Sequence, residues 1–257
     1  MSRSAFSKAN EALRTGLFGA GHDAPDQMVI VLDEPGIEVS VRVNRRARRF
    51  TLRLSADGRG AVLTVPPEVP MPAARHFVES HRGWLASALA RQPEIVALDD
   101  GVSLPVDGKP VVIRLDPRAT RTPRLSRDAL SMAPGPDVGR RLTAFLKARA
   151  RDQMAPAVHR CAEQLGKRCT AIAFRDTRSR WGSCSSSGRV GLSWRLTMAP
   201  PEIQAYVAAH EAAHLVEMNH SPRYWAVLSS LMPDYEVHRT WLRREGKRLH
   251  AYRFGAP

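Results

Sequence analysis

Apolar and polar residues alternate over 37–43 (IEVSVRV) and again over 49–55 (RFTLRLS), the period of a strand with one buried face. A third apolar run, 60–65 (GAVLTV), follows the turn pair Asp57-Gly58, and Pro66-Pro67 ends it. The three runs read as an antiparallel meander. The period then lengthens. Over 72–91, Phe77, Trp84, Leu85 and Leu89 fall near helical spacing. Residues 102–115 return to two short strands around Asp107-Gly108, a pair suited to a two-residue hairpin turn. Residues 116–136 are rich in Pro, Arg and Ser, with room for one short strand, and mark a soft boundary.

The second half is mainly helical. Val138, Leu142, Phe145, Leu146, Val158, Cys161 and Leu165 form a helical stripe over 137–165. Pro156 is expected to kink or divide that helix, and Gly166 to stop it. Strands follow at 171–174 and 189–194, joined by a polar loop. A helix over 201–218 opens on Pro201, at a position where the missing N–H costs nothing. Ser221-Pro222 opens another, on which Trp225, Leu228 and Leu231 recur at the spacing of a packed face. No internal repeat stands out. The fold class is α+β. An antiparallel, β-rich part over 35–136 precedes a mainly helical part over 137–257, with 1–34 as a flexible tail.

Composition narrows the setting. An apolar fraction of 43% in 257 residues supplies a core. No run approaches the length of a membrane span. The N-terminus lacks the apolar segment of a secretory signal. Cys161, Cys169 and Cys184 are odd in number and show no CxxC spacing, which suits a reducing cytoplasm. The net charge is +14, from 39 Lys+Arg against 25 Asp+Glu. Such a field attracts polyanions, and it leaves nucleic acid or a nucleotide open as a partner. It is equally the mark of a solvated, Arg-rich surface.

The chemistry concentrates on the helix at 201–218. His210 and His214 stand one turn apart on one face, so both imidazoles can meet a single ion. Glu211 lies about 100° around the helix from His210, where it can reach a water on that ion as general base. A catalytic zinc takes three protein ligands, leaves one position open, and lowers the pKa of a bound water to about 7. Candidates for the third ligand are His220, Glu217, Glu236 and His238. His220 gives HExxHxxxxxH, the histidine spacing of the metzincins, although Glu217 replaces their glycine. A helix end near Asn219 would set His220 in a corner between helices. Glu236 is the rival, on a following helix as in gluzincin-type peptidases. Met232-Pro233 could floor the metal as the methionine turn does in metzincins. In the loop 178–185 (RSRWGSCS), Arg180 can stabilise charge in a transition state, Trp181 can serve as core, and Cys184 is a candidate fourth ligand.

Residues 175–246 closely resemble the YgjP-like metallopeptidase domain, also called DUF45. The matching pieces are SRWGSCS, the HExxH helix, NHS with His220, Tyr224-Trp225, Pro233-Asp234-Tyr235 and Trp241-Leu242. The segment VRVNRRARRFTLRLSADGRGAVLTVPP resembles the opening of that family, so the likeness spans about 35–250. A more distant likeness is to the SprT-like and WLM metallopeptidases, some associated with repair of DNA–protein crosslinks. The resemblance implies a zincin site with His210, His214 and His220 as ligands and Glu211 as base. One departure is Ala212, where the family usually reads HELAH.

Three functions stand as expectations. The first is a zinc-dependent metallopeptidase acting on a polypeptide, with the strand at 189–194 as the edge that aligns substrate. The second is a metal-dependent nucleotide hydrolase, suggested by the charge and the Arg/Ser loop. The third is a DNA-associated protease or nucleic-acid-binding protein.

Overall fold

The computed structural model describes residues 28–33, 36–55 and 60–255. Residues 1–27 of the tail expected over 1–34, and the Asp57-Gly58 turn, lie outside the described residues. The fold is α+β, and it divides into two compact units between Arg91 and Gln92, ahead of the 116–136 stretch where the boundary was expected.

The first unit holds strands β1 (Met28–Leu32), β2 (Ile37–Val43), β3 (Thr51–Leu54) and β4 (Ala61–Val65), in the order β1-β2-β4-β3. β1 lies within residues assigned above to the tail. Its MVIVL run alternates, with Ile30 and Leu32 fully buried and Val29 and Val31 facing out. The meander is replaced by a mixed sheet: β2 runs antiparallel to β1 but parallel to β4, and β3 pairs with β4 from the far side. Alternation assigns a face to each strand, but it does not choose the neighbour. Helices α1 (Met71–Ser80) and α2 (Arg82–Ala90) cover the inner face with Ala74, Val78 and Leu85. The single helix expected there breaks at His81. The Ser80 hydroxyl and the His81 ring both hydrogen-bond the Phe77 carbonyl, at 2.8 Å each, and so compete with the helical ladder.

The second unit opens with β5 (Val96–Ala97), then β6 (Ser103–Val106), β7 (Lys109–Leu115), β8 (Arg124–Leu125) and β9 (Ala129–Met132). The last four form a sheet in the order β6-β7-β9-β8, with β7 parallel to β9 and the outer pairs antiparallel. This repeats the order and directions of the first sheet, a duplication of topology that the sequence did not reveal. Helix α3 (Val138–Gln164) buries Val138, Leu142, Leu146, Ala150, Met154, Val158 and Ala162, one residue per turn. Pro156 does not divide it. Pro156 and Asp152, whose carbonyl the proline leaves without a helical partner, are both exposed. Gly166 stops the helix as expected, with Lys167 N–H donating to Ala162 O at 2.8 Å.

Strands β10 (Ala171–Arg175), β11 (Gly182–Cys184) and β12 (Arg189–Ser193) form a three-stranded sheet with β12 central. A 3-10 helix over Trp194–Met198 leads to α4 (Pro201–Ala213), α5 (Pro222–Leu231) and α6 (Tyr235–Glu245). A second 3-10 turn, Gly246–His250, leads to β13 (Tyr252–Arg253), which pairs in parallel with β5. The second sheet belongs with the helices. Leu104, Ile113, Leu130 and Met132 share one core cluster with Leu142, Leu146, Trp194 and Ile203. No helix among the described residues is long and apolar enough to cross a membrane.

The β6–β7 hairpin turns at Asp107 (φ 51) and Gly108 (φ 75), the left-handed pair that a two-residue turn requires. Its tip docks on the entrance to α4. Asp107 N–H donates to Thr197 O at 2.7 Å, and Gly108 N–H to Met198 O at 3.2 Å. A Cβ at 108 would stand 2.7 Å from Pro200 Cγ. The Asp107 carboxylate accepts hydrogen bonds from Arg149, and from Gln153 and Gln204 at 3.2 Å each, so it joins the hairpin to α3 and α4. Burial pushes its pKa up, but the Arg149, Gln204 and Gln153 hydrogen bonds and the Arg149 charge outweigh this and hold it below the ordinary carboxylate value. Asp107→Ala is therefore expected to cost about 1–2 kcal/mol in denaturant unfolding at neutral pH, given partial exposure of the ion pair. The folded-state pKa is depressed, so this contribution is complete above the unfolded value near 4 and fades as pH falls through the folded one. Unfolding curves for both proteins at pH 7 and pH 3 check it: the gap narrows in acid.

Candidate metal centre

Helix α4 is buried on nearly every side. Ile203, Tyr206, Val207, Ala208, Ala209, Ala212 and Ala213 are all in the core. Alanine at four of these positions lets α3 and β12 come close, with small side chains at the contact. The helix ends at Ala213, earlier than the expected residue 218, with His214 as its still-helical C-cap. The next residues turn at once: Leu215 N–H donates to Ala212 O at 2.9 Å and Glu217 N–H to Ala213 O at 3.1 Å. The chain then reaches His220, and Ser221 caps α5 by accepting from Tyr224 N–H at 3.3 Å.

This corner brings His220 back to the helix. One ligand nitrogen from each of His210, His214 and His220 lies within 4.8 Å of the others. The Nε2 atoms of His210 and His220 are 3.2 Å apart. Two ligands on one tetrahedral zinc at about 2.0–2.1 Å would be separated by about 3.3 Å. The three nitrogens therefore fit a single ion. His214 Nδ1 lies 3.0 Å from the Glu217 carbonyl, a contact in which the ring N–H donates and Nε2 is left free to face the cluster. Burial pushes the His210 pKa down to about 3, helped by the neighbouring charges of His214, His220 and Arg239. Burial and the same kind of neighbours lower that of His220. Neutral imidazole is the form that binds a metal.

The Glu211 carboxylate lies beside this cluster, 4% exposed as a residue, with Oε2 buried and without a hydrogen-bond partner. Burial drives its pKa up to about 8, against the pull of the Arg180 charge. It has room because residue 182 has no side chain. A Cβ on Gly182 would overlap Glu211 Oε1 and stand 2.6 Å from its Cδ and Cγ. The SRWGSCS segment is thus partly a strand, β11, laid against the carboxylate, and its glycine is a close-approach position.

Other residues singled out above take different places. Glu236 is exposed at the start of α6 and is not among the converging groups. Glu217 contributes its carbonyl to His214, and its carboxylate reaches Arg223 at 4.0 Å. His238 pairs with Asp234 at 3.2 Å. Cys184 lines the cleft outside the cluster, its thiol pushed up to about 11 by burial, by Glu211 and by Cys169. Trp181 serves as core, stacked on His250 at 4.7 Å. Arg180 stands exposed at the rim of the cleft. The floor imagined for Met232 belongs to Tyr224. Its fully buried ring lies 5.4, 4.5 and 4.6 Å from the His210, His214 and His220 rings, and its hydroxyl donates to His210 O at 3.0 Å. Only its place beside Trp225, three residues after the NHS turn, could have signalled it. The edge strand also changes identity. β12 is central, and β11 is the edge that borders the cleft.

The cleft above the imidazoles measures about 520 Å³ and is open to solvent. Gly182→Ala is expected to displace the Glu211 side chain, whose Oε1, Cδ and Cγ stand where the added methyl would go. Overpacking of this kind costs about 1–3 kcal/mol, readable by denaturant unfolding, and a structure of the variant should show the carboxylate moved.

No curated protein matches the sequence. Among solved structures, the metallopeptidase zymogen of Pyrococcus abyssi abylysin matches at 19% identity over 37% of this chain and 93% of that one, with a TM-score of 0.33. The YgjP-like, metallopeptidase domain family matches residues 48–245, which include all the elements that frame the three imidazoles, and the chain belongs to that family of metal-dependent hydrolases.

Proposed function

We propose that this chain is a zinc-dependent peptidase in which His210, His214 and His220 hold the ion and Glu211 is the general base. The observation that carries the reading is the convergence of three imidazole nitrogens beside a buried carboxylate in one solvent-open cleft. When bound there, zinc supplies Lewis acidity for a water and for the carbonyl under attack. The protein does the rest. Glu211, on the same helix as two of the histidines, accepts a proton from the attacking water and returns it to the leaving amine. Tyr224 and the Glu217 carbonyl keep the imidazoles in register. Arg180, at the rim, stabilises negative charge that develops on the substrate oxygen.

An extended polypeptide suits the entrance. β11 pairs with β12 on one side, and among the described residues no strand covers its other edge. A substrate can add there as a further strand, its backbone drawn along the cleft. The three cysteines are free, which fits a reducing cytoplasm.

Protein loaded with one equivalent of zinc is expected to cleave an unfolded protein and to stop when the metal is chelated. Glu211→Gln should retain the metal and lower kcat/KM by about 10²–10⁴-fold, while His220→Ala should lose metal, as read by elemental analysis. A zinc-loaded protein inert towards a broad peptide library would sink the reading. A nucleoside-triphosphate panel with Mg²⁺, Mn²⁺ and Zn²⁺ separates it from nucleotide hydrolysis, which suits an oxygen-rich site better than three imidazoles.

A further inference from the structure

The cleft that holds the imidazoles is lined by three guanidinium groups and a single carboxylate, that of Glu211. Arg180 comes from the segment before β11. Arg239 and Arg243 come from α6, one turn apart and so on one face. Among the described residues none of the three has an ion-pair partner. The acids nearby are engaged elsewhere: Asp234 with His238 at 3.2 Å, Glu245 with Arg248 at 2.8 Å, and Glu217 with Arg223 at 4.0 Å. Glu236 accepts from the Tyr235 hydroxyl at 3.5 Å.

Where a carboxylate is within reach, arginines of this chain gather on it. On α3, Arg140 and Arg141 share the Asp137 carboxylate with Arg121, at 3.0, 3.0 and 2.8 Å. On α6, two like charges one turn apart repel each other with nothing between them. Arg239 is also held in place. Its guanidinium sits 4.6 Å from the centre of the Trp225 ring, and that ring stacks on Tyr235 at 5.4 Å and against His220 at 5.6 Å. The flat face of the guanidinium is thus occupied, while its N–H edge stays available to an oxyanion.

We propose that Arg239 and Arg243 read a carboxylate on the substrate, so that the enzyme prefers polypeptides carrying an acidic group close to the bond cleaved. This rests on the peptidase reading above. The carboxylate can come from an Asp or Glu side chain or from the C-terminus of the substrate itself. Because both arginines are exposed, the preference should weaken as salt shortens the Debye length.

The test uses the zinc-loaded full chain and peptides built around a bond that it cleaves in an unfolded protein, located by mass spectrometry. Each peptide carries Glu or Gln beside that bond and a free or amidated C-terminus. The expected result is a kcat/KM about tenfold or more higher for the Glu member, or for the free C-terminus, and the pair that responds identifies the source. In Arg239→Gln/Arg243→Gln the ratio should fall towards one, with circular dichroism and metal content confirming the fold. Arg243→Gln alone spares the Trp225 stack and keeps the test readable if the double variant unfolds. Equal cleavage of acidic and amide peptides by the wild type overturns the proposal and leaves the peptidase standing. An undiminished preference in a folded variant overturns the assignment to α6. If no peptide is cleaved, the peptidase reading and this proposal fail together, and nucleoside-triphosphate hydrolysis by the same protein would assign the arginines to phosphate instead.

Discussion

Withdrawing a carboxylate from water disfavours its ionised form, and Glu211 is withdrawn almost completely. Much of the surrounding architecture serves that withdrawal. The helix carrying Glu211 must be enclosed, so its sides are mostly alanine and small aliphatics packed between α3 and the sheet. The strand that closes over the carboxylate must come nearer than a methyl group permits, so residue 182 is glycine. One stripe of the helix, from Tyr206 to His214 where the chain turns sharply, borders the cleft. The same enclosure lowers the pKa of His210. One constraint therefore bears on both the carboxylate and a nitrogen donor beside it.

That enclosure has to be held in register from outside. Asp107 does so at the entrance of the helix, where a hairpin tip grips both the 3-10 turn and the long α3. Tyr224 does so at the exit, with its ring under all three imidazoles and its hydroxyl on a helix carbonyl. Neither residue faces a substrate. Each converts a flexible junction into a fixed one, and a cluster of nitrogens a few ångströms across needs that precision.

What could be read from the sequence was what short-range physics writes there. Asp107-Gly108 announces a hairpin because two left-handed residues in a row leave few other choices. His210, Glu211 and His214 announce a site because helical spacing alone aims them. Ser221-Pro222 announces a helix start, and that start is what brings His220 round. The rest depends on partners distant in sequence. The alternation of β2 gives Ile37, Val39 and Val41 their buried face yet is silent on β2 running parallel to β4. The break at His81 is a local exception, in which two side chains compete for one carbonyl. β11 is only three residues long, too short to show a period, and its importance lies in what Gly182 leaves out. Tyr224 reads as ordinary core until the three rings above it are in place.

The pairing of β13 with β5 bears on when the catalytic unit can form. Tyr252 lies opposite Val96, and Val96 N–H donates to Ala251 O at 3.1 Å. Arg195, buried beside Trp194, donates to the carbonyls of Leu249 and Tyr252 at 3.0 and 3.1 Å and is clamped by Asp176 at 2.6 Å. The strand pairing joins positions roughly 150 residues apart, and loops of that length close late and slowly. The first unit finds all its strand partners before Arg91. On a growing chain it can be complete while α4 is still being made. Ile203, at the start of α4, then waits for Leu249 and Phe254 to complete the core cluster that they share.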